Sequence, residues 1–218
     1  MEDPVEYRMA GINQIQVNPK LGLTFASGLR SILRSDPDVV MIGEIRDMET
    51  AKISVEAALT GHLVLATLHT NDAPSAVTRL TDMGVEPFLI SSAVDCVIAQ
   101  RLARRLCERC KRPAAEVDEE TLSELGFSFE RFAQDGGFNF HEAIGCDRCG
   151  RTGYRGRIGI YEMMVIGEEA RELIVKRASA DEVKRVAEEE GTVPLRADGL
   201  IKAARGVTTI EEVLRTVV

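Results

Sequence analysis

Two Cys-x-x-Cys pairs, Cys107/Cys110 and Cys146/Cys149, constrain this chain more than any other feature. Each pair is a short turn whose two sulfurs can face one ion, so the chain must double back across residues 111–145 to bring the turns together. Zinc suits four thiolates because it favours a closed tetrahedral sulfur site. Cys149-Gly150 adds the flexible residue such a turn needs. Disulfides are disfavoured in a reducing compartment, and a thioredoxin-like dithiol needs only one pair at a helix start. Iron–sulfur ligation by four cysteines stays open, although nothing else in the chain points to electron transfer. A structural zinc ion on Cys107, Cys110, Cys146 and Cys149 is the expectation. Cys96, the fifth cysteine, lies in the apolar stretch Ala93–Ala99 and reads as an inert core residue.

A composition of 44% hydrophobic and 28% charged residues in 218 is that of an ordinary globular protein, long enough for one large domain with small attachments. The net charge of −8 argues against wholesale nucleic-acid binding, which needs a basic surface. The charge is uneven. Arg101, Arg104, Arg105, Arg109, Lys111 and Arg112 crowd the first cysteine pair, and Arg148, Arg151, Arg155 and Arg157 the second. Such clusters are commonly solvated faces; the sharper reading is a local anion or partner site on the cysteine module. No apolar run approaches the roughly 20 residues that span a bilayer. The start, Met1-Glu2-Asp3-Pro4, lacks a basic region followed by an apolar stretch. A cytoplasmic location is expected.

Periodicity outlines an α/β fold. Residues 24–35 read as a helix capped by Thr24, with Phe25, Leu29, Ile32 and Leu33 on one face. Val39–Ile42 follows as a short buried strand, then a helix from a cap at Asp47 to Gly61. Leu63–Leu68 reads as a second buried strand, followed by a helix from near Pro74 to Met83. This alternation indicates parallel strands joined by crossover helices, with ligands at the C-terminal strand ends. Periodicity fails near residue 100. Residues 105–157 have the look of a metal-stapled module too small to build its own core. Ile158–Met164 reads as a strand, and the rest of 158–218 as mainly helical, with helices over 168–177 and 180–190 and a helix start at Thr208-Thr209-Ile210-Glu211-Glu212. Three consecutive parts are expected: 1–104, 105–157 and 158–218.

Few residues are placed for chemistry. The strand Val39–Ile42 ends in Gly43-Glu44, the physical form of a Walker B element, in which a buried strand delivers a carboxylate to a magnesium-bound phosphate. Many strands end in Glu, so the element alone specifies little. His62 and His69 flank the second strand at a spacing of seven, which points them to opposite faces and argues against a shared metal site. Glu2-Asp3-Pro4-Val5-Glu6 concentrates acids at the start. The chain has no trustworthy Ser/His/Asp set, no His-Glu-x-x-His and no Gly-x-x-x-x-Gly-Lys-Ser/Thr.

Together the segments Glu2–Glu6, Leu33–Asp47, Thr60–Val64 and Thr67–Asn71 closely resemble the Asp box, Walker B and His box of the type II/IV secretion ATPase superfamily. Gln100-Arg101-Leu102, the cysteine pairs and Gly153–Glu162 are similar to the assembly-type motors of type II secretion and type IV pili, whereas retraction motors lack the cysteine module. The resemblance covers essentially the whole chain. It implies a partial RecA-like P-loop ATPase core with a tetracysteine zinc module and a helical C-terminal region. It further implies a homo-hexamer that hydrolyses ATP with Mg2+ to drive extrusion, at the inner face of the cytoplasmic membrane, with an inner-membrane platform protein and other secretion or pilus components. By motif, Glu44 would hold magnesium and help position the attacking water, Glu6 and Glu2 would act on the same water or metal, and His69 and His62 would contact the γ-phosphate region. Arg46 joins Glu44 and His69 on the nucleotide side. The family's Walker A loop lies upstream of the Asp box, where this chain starts. The chain is therefore expected to be a C-terminal portion that does not hydrolyse ATP unaided. Two further readings remain: a zinc-stabilised module docking onto the platform protein, and a zinc-ribbon nucleic-acid binder, which the net charge and the 5% aromatic content disfavour.

Overall fold

The computed structural model describes residues 1–114, 119–124, 127 and 138–217. The chain forms two compact units, Met1–Val97 with Met164–Glu190, and Ile98–Met163 with Gly191–Val218. The three consecutive parts expected from the sequence do not follow these units. The long strands β3 (Cys96–Leu106) and β6 (Tyr154–Val165) pair with each other and each run uninterrupted through a unit boundary. The expected edges at 104/105 and 157/158 fall inside those strands.

The first unit is built on a β-α-β crossover. Helix α1 (Phe25–Leu33) starts where Thr24 accepts from the Ser27 amide at 3.1 Å while Ser27 Oγ accepts from the Thr24 amide at 2.9 Å. Strand β1 (Val39–Ile42) leads to α2 (Met48–Leu59), capped by Asp47, whose Oδ1 accepts from the Thr50 amide at 2.8 Å. Strand β2 (Leu63–Ala66) then lies parallel to β1, with Val39 opposite Leu63 and Ile42 opposite Ala66. Helix α3 (Ala73–Asp82) begins at an Asp72 cap and α4 (Pro87–Ala93) follows directly. Helices α6 (Glu168–Val175) and α7 (Ala180–Glu189) return to pack on α4 and α3 respectively.

The two short strands were expected to be buried, and the structure corrects this. Val40 and Ile42 are buried, but Val39 is 55% and Leu63 56% exposed, and Met41 and Leu65 are also exposed. A continuous apolar run fits a parallel strand covered on both faces. Among the described residues only one face of this two-stranded sheet is covered. Strand β2 is also shorter than expected, ending at Ala66; Thr67 instead accepts from the Ile45 amide through its carbonyl at 2.9 Å. Cys96 is exposed rather than in the core. Along β3 the buried positions are Ala99, Ala103 and Leu106, and Cys96 falls out of phase with the first two.

In the second unit, β4 (Arg112–Pro113) and β5 (His141–Glu142) form a small antiparallel pair, and α5 covers Glu119–Glu124. Helices α8 (Leu195–Ala204) and α9 (Ile210–Thr216) pack on each other. Gly199 makes this contact close: a Cβ there would meet Val213 Cγ1 at 2.6 Å. The core gathers Ala103, Leu106, Ile160, Leu200, Ala203 and Val213. Within it lies a charge. Glu212 is fully buried and accepts from the Arg104 amide at 2.8 Å, from Arg104 Nε and Nη2 at 2.9 and 2.7 Å, and from Arg215 Nε and Nη2 at 2.8 and 2.6 Å. The Arg104 guanidinium also sits 4.1 Å from the centre of the Tyr154 ring, whose hydroxyl pairs with Thr209 Oγ1 at 2.9 Å.

Candidate active site and metal centre

The first unit concentrates acids at the C-terminal end of β1. Gly43 follows the strand, and its amide donates to the Met1 carbonyl at 2.7 Å. A side chain there would place Cβ 3.1 Å from that carbonyl and 3.3 Å from Glu2 Cα, so the absence of one lets the acidic segment lie against the strand end. Two glutamines shape the segment. Gln14 Nε2 donates to Glu2 Oε1 at 2.9 Å and to the Tyr7 carbonyl at 2.8 Å, and Gln16 Oε1 accepts from the Val5 amide at 3.3 Å. The result is a cleft of about 330 Å³ lined by Glu2, Asp3, Glu6, Tyr7, Met41 and Glu44, among others.

Glu44 is engaged on both oxygens. Oε1 accepts from Arg46 Nη2, and Oε2 pairs with His69 Nε2 at 2.9 Å. Arg46 extends its other nitrogen, Nη1, to Asp3 Oδ2 at 3.3 Å. The Arg46 hydrogen bond, helped by His69, holds the Glu44 carboxyl below the usual carboxylate range against the opposing effect of burial. Thr67 Oγ1 donates to the Gly43 carbonyl and ties the end of β2 to that of β1. An ionised carboxylate at a strand end, beside further acids in an open cleft, suits a hard divalent cation and the water around it.

The predicted residues divide by position. Glu2, Glu6 and Glu44 line one cleft, and Arg46 and His69 touch Glu44. His62 stands at the opposite end of β2, where Nδ1 lies 3.0 Å from the Ala57 carbonyl and 3.2 Å from Thr60 Oγ1. That places it on the turn after α2, away from Glu44. Asp3 lines the same cleft and stood out in the sequence only as one acid of the Glu2–Glu6 segment, while Gln14 and Gln16, which shape that segment, carried no sequence signal.

In the second unit the cysteine turns meet. The Cys107 amide donates to the Gly153 carbonyl at 2.9 Å and links the two turns. The four sulfurs lie within 4.8 Å of one another, the one cluster of three or more Cys, His or acidic groups gathered so closely among the described residues. Cys107 and Cys146 Sγ are 3.9 Å apart; Cys110 and Cys149, and Cys146 and Cys149, are 3.8 Å apart. Disulfides would need about 2.05 Å. Metal–sulfur bonds of about 2.3 Å in a tetrahedron put sulfurs about 3.8 Å apart. The set fits one four-coordinate ion. Burial pushes the Cys110 thiol up to about 12. Burial also raises Cys149, but the Cys146 and Gly153 amides, at 3.1 and 3.3 Å from its sulfur, outweigh it and bring this thiol down to about 6. Gly145 precedes the second turn with φ +108°, and a Cβ there would meet the Arg151 carbonyl oxygen at 2.5 Å.

The model of the family described as Type II/IV secretion system protein matches residues 1–215. The chain belongs to this family. It is 58% identical over 214 residues to the type IV pilus assembly ATPase PilB of Thermus thermophilus, covering 98% of this chain and 24% of that protein. It is 54% identical to the PilB of Myxococcus xanthus, covering 98% and 37%. It is also 54% identical to type II secretion system protein E of Pseudomonas aeruginosa, covering 99% and 41%. The chain thus spans well under half the length of these relatives. Among solved structures, the pilus retraction motor PilT with bound ADP superposes with a TM-score of 0.66 at 25% identity, over 98% of this chain and 50% of that one. Among the described residues no helix is long and apolar enough to cross a membrane.

Proposed function

We propose that this chain is the portion of a hexameric ATPase motor carrying the Asp box, Walker B, His box and zinc module, and that the whole motor powers type IV pilus assembly or type II secretion. The observation that supports it is the convergence of Glu2, Glu6 and Glu44 on one cleft with His69 on the Glu44 carboxylate. On this reading the first unit is part of a RecA-like core. Glu44 would hold magnesium and position the attacking water, Glu6 and Glu2 would act on the same water or metal, and His69 would contact the γ-phosphate region. Cys107, Cys110, Cys146 and Cys149 hold structural zinc that takes no part in hydrolysis. The motor works in the cytoplasm, peripheral to the inner membrane.

The experiment compares the chain alone with the chain grafted in place of the matching segment of the Thermus relative, which supplies the preceding residues. Magnesium-dependent ATP hydrolysis is expected only from the graft, and Glu44→Gln should lower its kcat by about 100-fold or more. Hydrolysis by the isolated chain would overturn the claim that this portion is inactive by itself.

A second reading makes the cysteine module a dock for an inner-membrane platform protein. It is supported by the exposure of Arg109, Arg112, Arg148, Arg155 and Arg157 around the sulfurs. Reversing Arg148 and Arg155 to Glu should weaken platform binding and leave metal content at one per chain; unchanged binding would remove this reading.

A further inference from the structure

We propose that Arg46 and Asp3 form a positioning pair that sets the geometry of Glu44, so that Arg46 acts through a carboxylate rather than on the nucleotide. The inference rests on reading the acidic cleft as the hydrolytic site.

The guanidinium is committed at both of its terminal nitrogens. Nη2 donates to Glu44 Oε1 and Nη1 to Asp3 Oδ2, residues that reach the cleft from the end of β1 and from the acidic segment. A planar fork can hold two carboxylates at a fixed angle at once; an ammonium group is a point charge and sets no such angle. His69 occupies the second Glu44 oxygen. With a donor on each oxygen, the plane of this carboxylate is fixed from two sides. Glu6, in the same cleft, has no such partner among the described residues. Four carboxylates line the cleft, and Arg46 bridges two of them. Two of the five N–H donors of Arg46 are used in this way.

Energetically the pair adds little to the fold. Arg46 is more than half exposed and Asp3 a third exposed, and ion pairs in such settings are weak in solvent. Its effect lies in placement. Displacing a catalytic group by about 1 Å costs as much as 100-fold in rate.

The test uses the chain grafted onto the preceding part of the Thermus relative, with Asp3→Asn, Arg46→Ala, Arg46→Lys and the Asp3→Asn/Arg46→Ala double variant. The expected result is a fall in kcat of about ten- to 100-fold in both single variants, with KM for ATP unchanged. The double variant should be no slower than the worse single, because the two residues act as one unit. Arg46→Lys should not restore kcat, and thermal melting should stay in place throughout. If the parent graft does not hydrolyse ATP, the reading of the cleft itself fails. If the parent is active but Asp3→Asn keeps its kcat, or Arg46→Ala acts through KM alone, or the single effects multiply, the positioning pair is refuted and the reading of the cleft stands.

Discussion

Replacing Glu212 with glutamine should cost the second unit about 3 kcal/mol at neutral pH. The figure follows from the geometry of one carboxylate. Burial pushes this carboxyl up, but hydrogen bonds from Arg215, from Arg104 and from the Arg104 amide overcome that effect and hold it at about 2, against an ordinary 4.5. Each tenfold change in acidity is about 1.4 kcal/mol, so the difference amounts to roughly 3 kcal/mol. Both guanidinium groups are about half exposed, and solvent screening makes this an upper value. Because the folded value lies below the unfolded one, the contribution is complete above about pH 4.5 and is lost as pH falls through about 2. Urea denaturation of the metal-free parent and Glu212→Gln variant, followed by circular dichroism, should show the full deficit at pH 7 and a clearly smaller one at pH 3. Protons taken up elsewhere cancel in that comparison. Equal stability at pH 7, or a deficit of the same size at both pH values, would refute the account.

Two further outcomes follow from close contacts. Cys146→Ser should remove the metal, taking zinc from one per chain to near zero by elemental analysis of the dialysed protein; a retained stoichiometry of one would break the four-cysteine assignment. Gly43→Ala should push the acidic segment off the strand end, raising amide exchange at Glu2 and Val17, whose amides now donate to Ile15 and Glu2 at 3.0 Å, while α8 keeps its protection.

Local chemistry was the legible part of the fold. Thr24 and Asp47 each cap the helix that their position announced, and the start expected over Thr208–Glu212 is capped by Thr209, because a cap depends on a few neighbouring residues. The cysteine spacing likewise carried its own geometry. What escaped depends on distant partners. Val39 and Leu65 look like core residues, and nothing in their own segments tells how many faces of the sheet are covered. Helix α4 is too short, at seven residues, to display a clear period. Glu212 stands three residues after the Thr209 cap, where a Glu usually turns back to the cap amide. Here it turns inward instead, to an arginine 108 residues earlier. In the cleft, the acids and His69 were legible as motifs, but Asp3 became distinct from its neighbours only once Arg46 was seen to reach it.

The meeting of the two cysteine turns has a consequence for engineering. A metal held by all four sulfurs would close residues 111–145 into a ring whose ends are fixed by coordination and by the β4–β5 pair. The entropy of such a ring grows only with the logarithm of its length, so doubling it costs about 0.6 kcal/mol. The ring should therefore accept foreign sequence, such as an epitope or a fluorescent label, while the same inserts inside β3 or β6 would interrupt the long pair. It offers a handle for following the protein in cells.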